Sequence, residues 1–530
     1  MVLARVGTLG LQGYEVHAVY VEVDLARGLP LFEIVGLPDT SVRESRNRVR
    51  TGLRNSGFEI PTMRITVNLA PGRFKKVGSS FDLPIAIGIL AAAGLIPSQR
   101  LENNFFCGEL ALDGSLRGVE SALCLAAGAP PVGSVPPAVI IPAENGPEMS
   151  LLPAERPVYL ASHLRQVVDW LRLAGRLEMP LRTSGHYIPP APTLSDVRGQ
   201  AGAKRALEIA AAGRHNLLLT GPPGVGKTML ATRLASLLPP LTPEEALETA
   251  RLRSLAGLPV EDGRTGALNR PWRAPHHTIN LRGMVGYAGG QTPIPGELSL
   301  AHLGVLFLDE FPEFSLEVLA ALRQPLEAHS IEIPGRAGWR LPADVQLVAT
   351  ANPCPCGFAG DLERSCTCAE GQLQRYRRRM SGPVLDRIDL FAAMHAERQA
   401  AAHPAAALTA APDGDAGRGQ AGAGHGQAGT GLERERILAA WERQRRRFPP
   451  HWKPAYCANS RLSGPFLARF CRLDAEGAAL LRHGQKNLAL TERGVDRVLK
   501  VSRTIADLAG REKIMAADVC EALSYRQMIK

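Results

Sequence analysis

The stretch HNLLLTGPPGVGKTMLATRLASLL, residues 215–238, decides the fold of the central part of this 530-residue chain. The apolar residues before the loop predict a buried strand, and the residues after Lys227 predict an amphipathic helix. The loop between them has the pattern G-x-x-x-x-G-K-T, in which glycines let backbone N–H groups converge on a phosphate at the start of a helix. We therefore predict a phosphate-binding loop. Its residues are Gly221, Pro222, Pro223, Gly224, Val225, Gly226, Lys227 and Thr228.

Two further apolar runs end in polar side chains that suit the same site. The run GVLFLDE ends in Asp309 and Glu310, and the run VQLVATAN ends in Asn352. In such a site Lys227 would contact the β- and γ-phosphates, and Thr228 and Asp309 would hold Mg²⁺. Glu310 would polarise the attacking water, and Asn352 would sense the γ-phosphate. An acidic pair also occurs at ordinary strand ends, but about eighty residues after a phosphate loop it indicates the second half of one ATP site.

Shifts in composition divide the chain into three main regions. The proline-rich stretch 176–195 predicts a linker, and the Ala/Gly-rich run 396–431 predicts a disordered insertion or tether because it cannot bury a core. We therefore expect an N-terminal domain at 1–175, a central domain at 196–395 and a helical C-terminal domain at 432–530.

Strands that end in GPPGVGKT, LDE and ATAN, in this order, resemble the layout of an AAA+ ATPase. Together with RAPHHTINLRGMVGYAGG, GPVLDRIDL and VSRTIADL, they resemble the ComM/YifB family of magnesium-chelatase-like AAA+ proteins over nearly the whole chain. The resemblance implies an α/β fold with a parallel-sheet P-loop domain and a C-terminal helical lid. It also implies a hexameric ring that hydrolyses ATP and acts on DNA, as a helicase that promotes branch migration during recombination and natural transformation.

The same resemblance implies two arginines that act on the ATP site. Arg387, in SGPVLDRIDLF, matches an arginine finger that reaches into the neighbouring subunit's site; a surface arginine paired with a neighbouring aspartate is the alternative. Arg493, in the C-terminal helices, matches a second-sensor arginine, with Arg497 and Arg503 as alternatives.

Composition and charge favour some classes of protein for this chain and argue against others. Lys and Arg number 61 against 51 Asp and Glu, and the resulting net charge of +10 favours a polyanionic partner, although a general basic bias would give the same number. We expect no membrane span, because no apolar run reaches about twenty residues. The N-terminus lacks the features of a signal peptide, so we expect a cytoplasmic protein. Nine cysteines, an odd number, argue against a secreted disulfide scaffold.

Two segments of the central region predict contacts with DNA. The insertion RAPHHTINLRGMVGYAGGQTPIP carries Arg282 and Tyr287, and HSIEIPGRAGWRLPADVQL predicts a β-hairpin that carries Arg336, Trp339 and Arg340. Cations beside aromatic rings suit the phosphates and bases of a nucleic acid. In related ring helicases both elements line the central pore. The alternative is a solvated hairpin whose tryptophan packs in the ordinary way.

The N-terminal region carries a second resemblance. FKKVGSSFDLPIAIGILAAAGLI followed by CGELALDGSLRGVESALCLAAGA resembles the Lon-type protease fold of the ribosomal-S5-like α/β class, with Ser80 aligned to the nucleophile. Serine–lysine chemistry requires a lysine within hydrogen-bond reach of the serine. The helix expected to supply it contains none, and Lys75 and Lys76 lie on the wrong side of Ser80. We therefore expect an inactive domain, used for assembly or DNA contact.

Four cysteines follow Asn352 directly, with the spacing C-x-C, nine residues, C-x-C. Thiolates at this spacing can close a tetrahedral structural Zn²⁺ site, whereas a catalytic zinc would need an open position. Four reduced thiols in a loop and a redox switch are the alternatives. The residues are Cys354, Cys356, Cys366 and Cys368.

Two other classes of function compete with a DNA motor. An ATPase subunit of a metal-chelatase-type complex would dock a partner protein and would not be stimulated by DNA. An ATP-dependent protease is disfavoured by the missing lysine. The basic hairpin before Asn352 and the net positive charge favour DNA.

Overall fold

The computed structural model describes residues 3–131, 136–181, 194–260, 269–290, 292–335, 338–359, 364–379, 384–395 and 428–527. These residues form an N-terminal α/β region, a central region built on a parallel sheet and a helical C-terminal region. The predicted α/β class is therefore confirmed. Across the described ranges, none of the helices combines the length and the apolar character that crossing a bilayer requires.

The N-terminal region is built on a seven-stranded mixed sheet with the order β3-β4-β2-β1-β5-β8-β9. In β2, Val19, Val21 and Val23 are buried and alternate with less buried positions, as expected for a strand packed on one face. Every residue of helix α2 is buried, so this helix runs through the core beneath the sheet. The strands are β1 (Leu3–Gln12), β2 (Glu15–Ala26), β3 (Leu31–Val35), β4 (Arg64–Ala70), β5 (Asn104–Phe106), β6 (Glu109–Leu110), β7 (Leu116–Arg117), β8 (Ala138–Pro142) and β9 (Val158–Ala161). The helices are α1 (Thr40–Asn55), α2 (Asp82–Ala92), α3 (Ala122–Gly128), α4 (Gly146–Met149) and α5 (Leu164–Leu171).

The central region is built on a five-stranded sheet in which every pairing is parallel, with the order β11-β14-β17-β10-β18. Strands β14 and β17 are buried at every position, because helices cover both faces of the sheet. The sheet strands are β10 (Leu217–Thr220), β11 (Trp272–Arg273), β14 (Val305–Leu308), β17 (Gln346–Ala351) and β18 (Leu390–Ala393). Two hairpins extend from it, β12 (Gly286–Gly289) with β13 (Thr292–Pro295), and β15 (Ser330–Glu332) with β16 (Arg340–Pro342).

Nine helices accompany the central sheet within the described ranges. They are α6 (Ala201–Gly213), α7 (Lys227–Thr232), α8 (Leu234–Leu237), α9 (Pro243–Leu255), α10 (Leu281–Val285), α11 (Glu297–Leu300), α12 (Leu316–Ala321), α13 (Arg323–Ala328) and α14 (Glu370–Arg379). Helix α9 also contacts the N-terminal region, where the Cys124 thiol on α3 donates to the Arg251 carbonyl at 3.0 Å.

The C-terminal region is helical, as predicted from the charged amphipathic pattern. Its helices are α15 (Ala428–Arg445), α16 (Gly464–Phe470), α17 (Ala475–Leu488), α18 (Glu492–Leu508) and α19 (Ala516–Ser524). The predicted Ala/Gly-rich insertion lies mostly outside the described residues, and α15 begins within its last four positions. The Trp441 indole donates to the Ala211 carbonyl at 3.0 Å, which fixes α15 on helix α6 of the central region.

Candidate functional site

The predicted phosphate loop runs from the end of β10 into helix α7. Gly224 has a φ of +82°, in the left-handed region that favours glycine. No atom lies within 4 Å of the position that a Cβ on Gly224 would occupy, so the loop is open on this side. An open glycine turn ahead of a helix presents backbone N–H donors outward, and this arrangement fits the phosphates of a nucleotide.

Lys227 ties the loop to the strand that ends in Asn352. Its ammonium donates to the carbonyl oxygens of Gly221 at 2.7 Å and Pro222 at 2.8 Å, and to Asn352 Oδ1 at 2.9 Å. Burial lowers the pKa of Lys227, and the carboxylates of the site oppose that effect. The structure therefore brings together two residues that the sequence assigned to one site from separate strands.

The carboxylate pair lies on the other side of the loop. The Thr228 hydroxyl donates to Asp309 Oδ2 at 3.0 Å, so two oxygen ligands of the kind that Mg²⁺ prefers lie side by side. The Thr350 hydroxyl donates to the second oxygen of Asp309 and accepts from the Glu310 amide at 3.1 Å. The Glu310 side chain is 56% exposed, and His277 Nδ1 lies 3.8 Å from its Oε2. Two oxygens that could bind a metal ion and an exposed carboxylate therefore lie beside each other.

Arg387 lies at the amino end of the sheet strands, whereas the phosphate loop of the same chain lies at their carboxyl end. It precedes β18, and its carbonyl accepts a hydrogen bond of 2.7 Å from Nδ2 of Asn216, which precedes β10. Gly221 is five residues after Asn216, with the four residues of β10 between them, which is about 16 Å along the strand. The nucleotide site and Arg387 are thus on different faces of the subunit.

Arg387 and Arg493 share one carboxylate. Arg387 Nη2 lies 2.6 Å from Glu327 Oε1, and Arg493 Nη1 lies 3.2 Å from the same oxygen. All three residues line a single charged cavity. The two arginines assigned to the ATP site by resemblance are therefore neighbours, both distant from Lys227 of the same chain.

The two alternatives to Arg493 differ in their surroundings. Arg497 lines the same cavity and pairs with Asp389 at 3.2 Å. Arg503 is buried in the helical region, where it pairs with Asp507 at 3.1 Å and donates to the Arg511 carbonyl at 2.6 Å. These partners fix α18 to the loop before α19, so Arg503 serves the packing of this region.

The two hairpins predicted to contact DNA lie side by side. A Cβ on Gly286 would lie 3.1 Å from Ile333 Cδ1, and a Cβ on Gly335 would lie 3.2 Å from Ala288 Cβ. The insertion hairpin β12–β13 and the hairpin β15–β16 are therefore packed against each other and form one hairpin pair.

The predicted DNA-contact residues differ in their exposure, and Arg282 is on helix α10 directly before the hairpin pair. Arg282, Tyr287 and Arg340 are exposed, and Arg340 Nε donates to Ser330 Oγ at 2.7 Å, which orients the guanidinium along the hairpin. Arg336 lies outside the described residues.

Trp339 is half-buried against the N-terminal region. A Cβ on Gly13 would lie 2.8 Å from Trp339 Cδ1, and the indole packs on the same core cluster as Leu11 and Tyr14. The indole therefore joins the hairpin to the N-terminal sheet.

The serine of the N-terminal region has no catalytic partner among the described residues. No lysine or histidine there hydrogen-bonds the Ser80 hydroxyl, and the neighbouring Ser79 hydroxyl donates to Glu109. Lys76 is buried and donates to the Pro71 carbonyl. The inactivity of this domain therefore stays a prediction.

The four cysteines that follow Asn352 form one cluster. Their Sγ atoms all lie within 4.8 Å of one another, with separations of 3.3 Å, 3.5 Å and 3.7 Å among Cys354, Cys356 and Cys366. The Ala359 amide donates to Cys354 Sγ at 3.2 Å, and the Cys356 amide donates to Cys368 Sγ at 3.3 Å. Amides of Phe358 and Thr367 lower the pKa of Cys356, whereas desolvation raises the pKa of Cys368. Backbone donors of this kind favour thiolates, the form that binds a metal ion.

Two residues of the site, Glu327 and Thr350, were not singled out from the sequence. Glu327 pairs with Arg387, whereas Asp389, an alternative partner in the sequence, pairs with Arg497. Thr350 joins Asp309 to Glu310. Of these, only Thr350 could have been found from the sequence. It is two positions before Asn352, and side chains two apart on a strand share a face.

Comparison with known families assigns most of the chain to one group. Residues 193–402 match the family described as magnesium chelatase, subunit ChlI, and residues 21–145 match subunit ChlI of Mg-chelatase. Residues 430–526 match the magnesium chelatase subunit ChlI C-terminal family.

Full-length relatives are similar along the entire chain. The competence protein ComM of Haemophilus influenzae is 42% identical over 539 residues, which cover 100% of this chain and 98% of that protein. The YifB proteins of Salmonella typhimurium and Escherichia coli are each 41% identical over 528 residues, which cover 99% of this chain and 97% of each relative.

Proposed function

This chain belongs to the ComM/YifB family of magnesium-chelatase-like AAA+ ATPases, and from that premise we propose that it is a ring-shaped motor that couples ATP hydrolysis to the movement of DNA. Its task in this proposal is a helicase activity that promotes branch migration during recombination or natural transformation. The observation that carries it is the contact between the two hairpins of the central region, with Arg282, Tyr287 and Arg340 exposed on or directly before them.

The ATPase part rests on the arrangement around the phosphate loop. Lys227 and Asn352 would contact the phosphates, and the oxygens of Thr228 and Asp309 would hold Mg²⁺. Bound there, Mg²⁺ would neutralise negative charge on the phosphates. Glu310 is accessible and would take a proton from the attacking water.

We propose a homo-oligomer, as a hexamer, and the position of Arg387 supports it. Arg387 is separated from its own phosphate loop by the length of β10, so as an arginine finger it would serve the ATP site of another copy. Arg493 is beside it and would reach the same neighbouring site. Each ATP site would then be completed by two arginines of the adjacent subunit.

DNA is the polymer that the hairpins fit best. Arg282, Tyr287 and Arg340 supply two exposed cations and an exposed aromatic ring, and such side chains bind phosphates and stack on bases. Arg336, which follows β15 in the sequence, would add a further cation. Trp339, half-buried against the N-terminal sheet, would contribute mainly by holding the hairpin in place. A relative named as a competence protein supports the same partner.

The cofactors in this proposal are ATP with Mg²⁺ and, at the four cysteines, a structural Zn²⁺. A tetrahedral site with Zn–S bonds of 2.3 Å has sulfur separations of about 3.8 Å, and the Sγ atoms of the cluster lie close to that spacing. Four cysteines leave no ligand position for water, so the site has no catalytic role.

The experiment that tests the function measures ATP hydrolysis and strand exchange on a four-way DNA junction with the full chain. We expect junction DNA to stimulate hydrolysis and the protein to move the branch point. An Arg282→Ala/Arg340→Ala variant should keep basal hydrolysis and lose the stimulation, because neither residue belongs to the phosphate loop or to the strand ends that carry Asp309, Glu310 and Asn352.

The opposite result has a definite meaning. Hydrolysis that no DNA stimulates, with no movement of the junction, would overturn the motor and favour the ATPase subunit of a metal-chelatase-type complex.

A further inference from the structure

The loop that carries the first two cysteines lies directly against the phosphate loop. Gly357 has a φ of +87°, and a Cβ on it would lie 2.5 Å from Pro223 Cδ and 2.7 Å from Pro223 Cγ. Only a residue without a Cβ can bring its backbone this close. Pro223 is the second proline of the phosphate loop, so the cysteine loop covers one flank of the residues that would bind ATP.

The second pair of cysteines leads into a helix that contacts the sensor strand. Helix α14 begins two residues after Cys368, and the hydroxyl of its Tyr376 donates to the Asn352 carbonyl at 2.9 Å. The cluster therefore joins two segments that touch the ATP site independently, one at Pro223 and one at Asn352.

The described residues around the cysteines have little other support. Residues 353–359 and 364–369 form turns and irregular chain, and hydrogen bonds to sulfur account for two of the contacts that close the cluster. A metal ion bound by four thiolates contributes folding free energy directly and replaces the missing secondary structure.

We propose that Zn²⁺ at Cys354, Cys356, Cys366 and Cys368 holds Gly357 against Pro223 and Tyr376 against Asn352, and that zinc occupancy thereby sets the affinity of the ATP site. The proposal rests on the proposed zinc site and on the ATPase activity of the chain. It adds a coupling between the zinc site and the ATP site, and each of these sites could exist without that coupling. Because coupling between two ligands is reciprocal, nucleotide must also slow the release of zinc.

The first experiment measures zinc by mass spectrometry and the Kd of a fluorescent ADP analogue by titration, on the full chain. The wild-type protein should contain one zinc ion per chain. Cys366→Ser/Cys368→Ser should lose the metal and bind the analogue about tenfold more weakly, equivalent to about 1.4 kcal/mol. Cys520→Ser, which alters an exposed cysteine outside the cluster, is the matched control and should change neither value.

A second variant separates the loop contact from the metal. Gly357→Ala leaves all four ligands in place but adds a Cβ where Pro223 stands, so it should keep zinc and still weaken analogue binding about tenfold. The third measurement needs no variant. The rate at which a chelator removes zinc from the wild-type protein should fall when saturating ADP is present.

The possible results distinguish between the zinc site, its coupling to the ATP site and the ATPase assignment. Iron, or no metal, in the wild-type protein would overturn the zinc site. Unchanged analogue binding in Gly357→Ala, together with a zinc release rate that ADP does not alter, would overturn the coupling even if the cysteine variant fails to fold. A wild-type protein that contains zinc but does not bind the analogue contradicts the ATPase assignment instead.

Discussion

The Nζ atom of Lys227 lies 2.9 Å from the Oδ1 atom of Asn352. One residue starts the helix after β10, and the other follows β17, the adjacent parallel strand. A lysine that would contact the phosphates and an amide that would sense them are therefore already within hydrogen-bond distance. Any phosphate that enters the loop must compete for the same ammonium, and so Asn352 is positioned to respond to its arrival.

The amide should matter more for hydrolysis than for binding. We expect Asn352→Ala to bind an ATP analogue within about threefold of wild type but to hydrolyse ATP about 100-fold more slowly, as when one donor to a developing charge is removed. Phosphate release and analogue titration measure the two quantities. Asn55→Ala, which removes an exposed amide in the N-terminal region, is the control. Equal losses in binding and hydrolysis would contradict the sensor role.

Glu310 should act only in the chemical step. Glu310→Gln keeps the size of the side chain but removes the base, so we expect hydrolysis to fall by about 10²–10⁴-fold while ATP remains bound. Glu313→Gln changes an exposed carboxylate nearby and should hydrolyse ATP normally. A Glu310→Gln protein that turns over at the wild-type rate would remove Glu310 from the mechanism.

Arg387 should act on a neighbouring subunit. Arg387→Ala and Lys227→Ala should each reduce hydrolysis by about 10³-fold when assayed alone. When the two variants are mixed and allowed to assemble, Arg387 of one subunit can serve the intact phosphate loop of the other, so a fraction of the activity should return. A mixture as inactive as its components would show that Arg387 does not act between subunits.

Protonation of Asp344 should lower the free energy of unfolding in acid. Arg214 Nη1 lies 3.1 Å from its Oδ2, and Arg461 and His329 also contact its carboxylate, which joins the central and helical regions. Burial alone raises the pKa of Asp344, but Arg214, Arg461 and His329 outweigh it and hold that pKa well below its usual range.

The sign of the effect follows from that direction. The stabilisation from Asp344 is complete above its unfolded pKa of about 3.9 and is lost progressively as the pH falls towards the folded pKa. Denaturant unfolding between pH 6 and pH 3 should show this loss in the wild-type protein. Asp344→Asn should cost about 3–5 kcal/mol at neutral pH and lack the acid dependence. Asp386→Asn, at an exposed position, should behave as wild type.

Local patterns were sufficient for much of the fold. Strands β10, β14 and β17 form from the apolar runs before GPPGVGKT, within GVLFLDE and within VQLVATAN. The amphipathic C-terminal stretch is helical. These elements follow from the side chains of neighbouring residues, because burial on both faces of a parallel sheet requires continuous apolar runs. The phosphate loop could be predicted for the same reason, since its glycines and lysine are adjacent in the chain.

The sequence by itself determined the phosphate loop, the polar strand ends and the cysteine spacing. Only the tertiary structure decided which distant residues meet. Three relationships depend on the order of strands in the sheet. They are the contact of Gly357 with Pro223, the ion pairs of Glu327 with Arg387 and Arg493, and the separation of Arg387 from its own phosphate loop. Strand order is set by packing of the entire core, and no local run of residues encodes it.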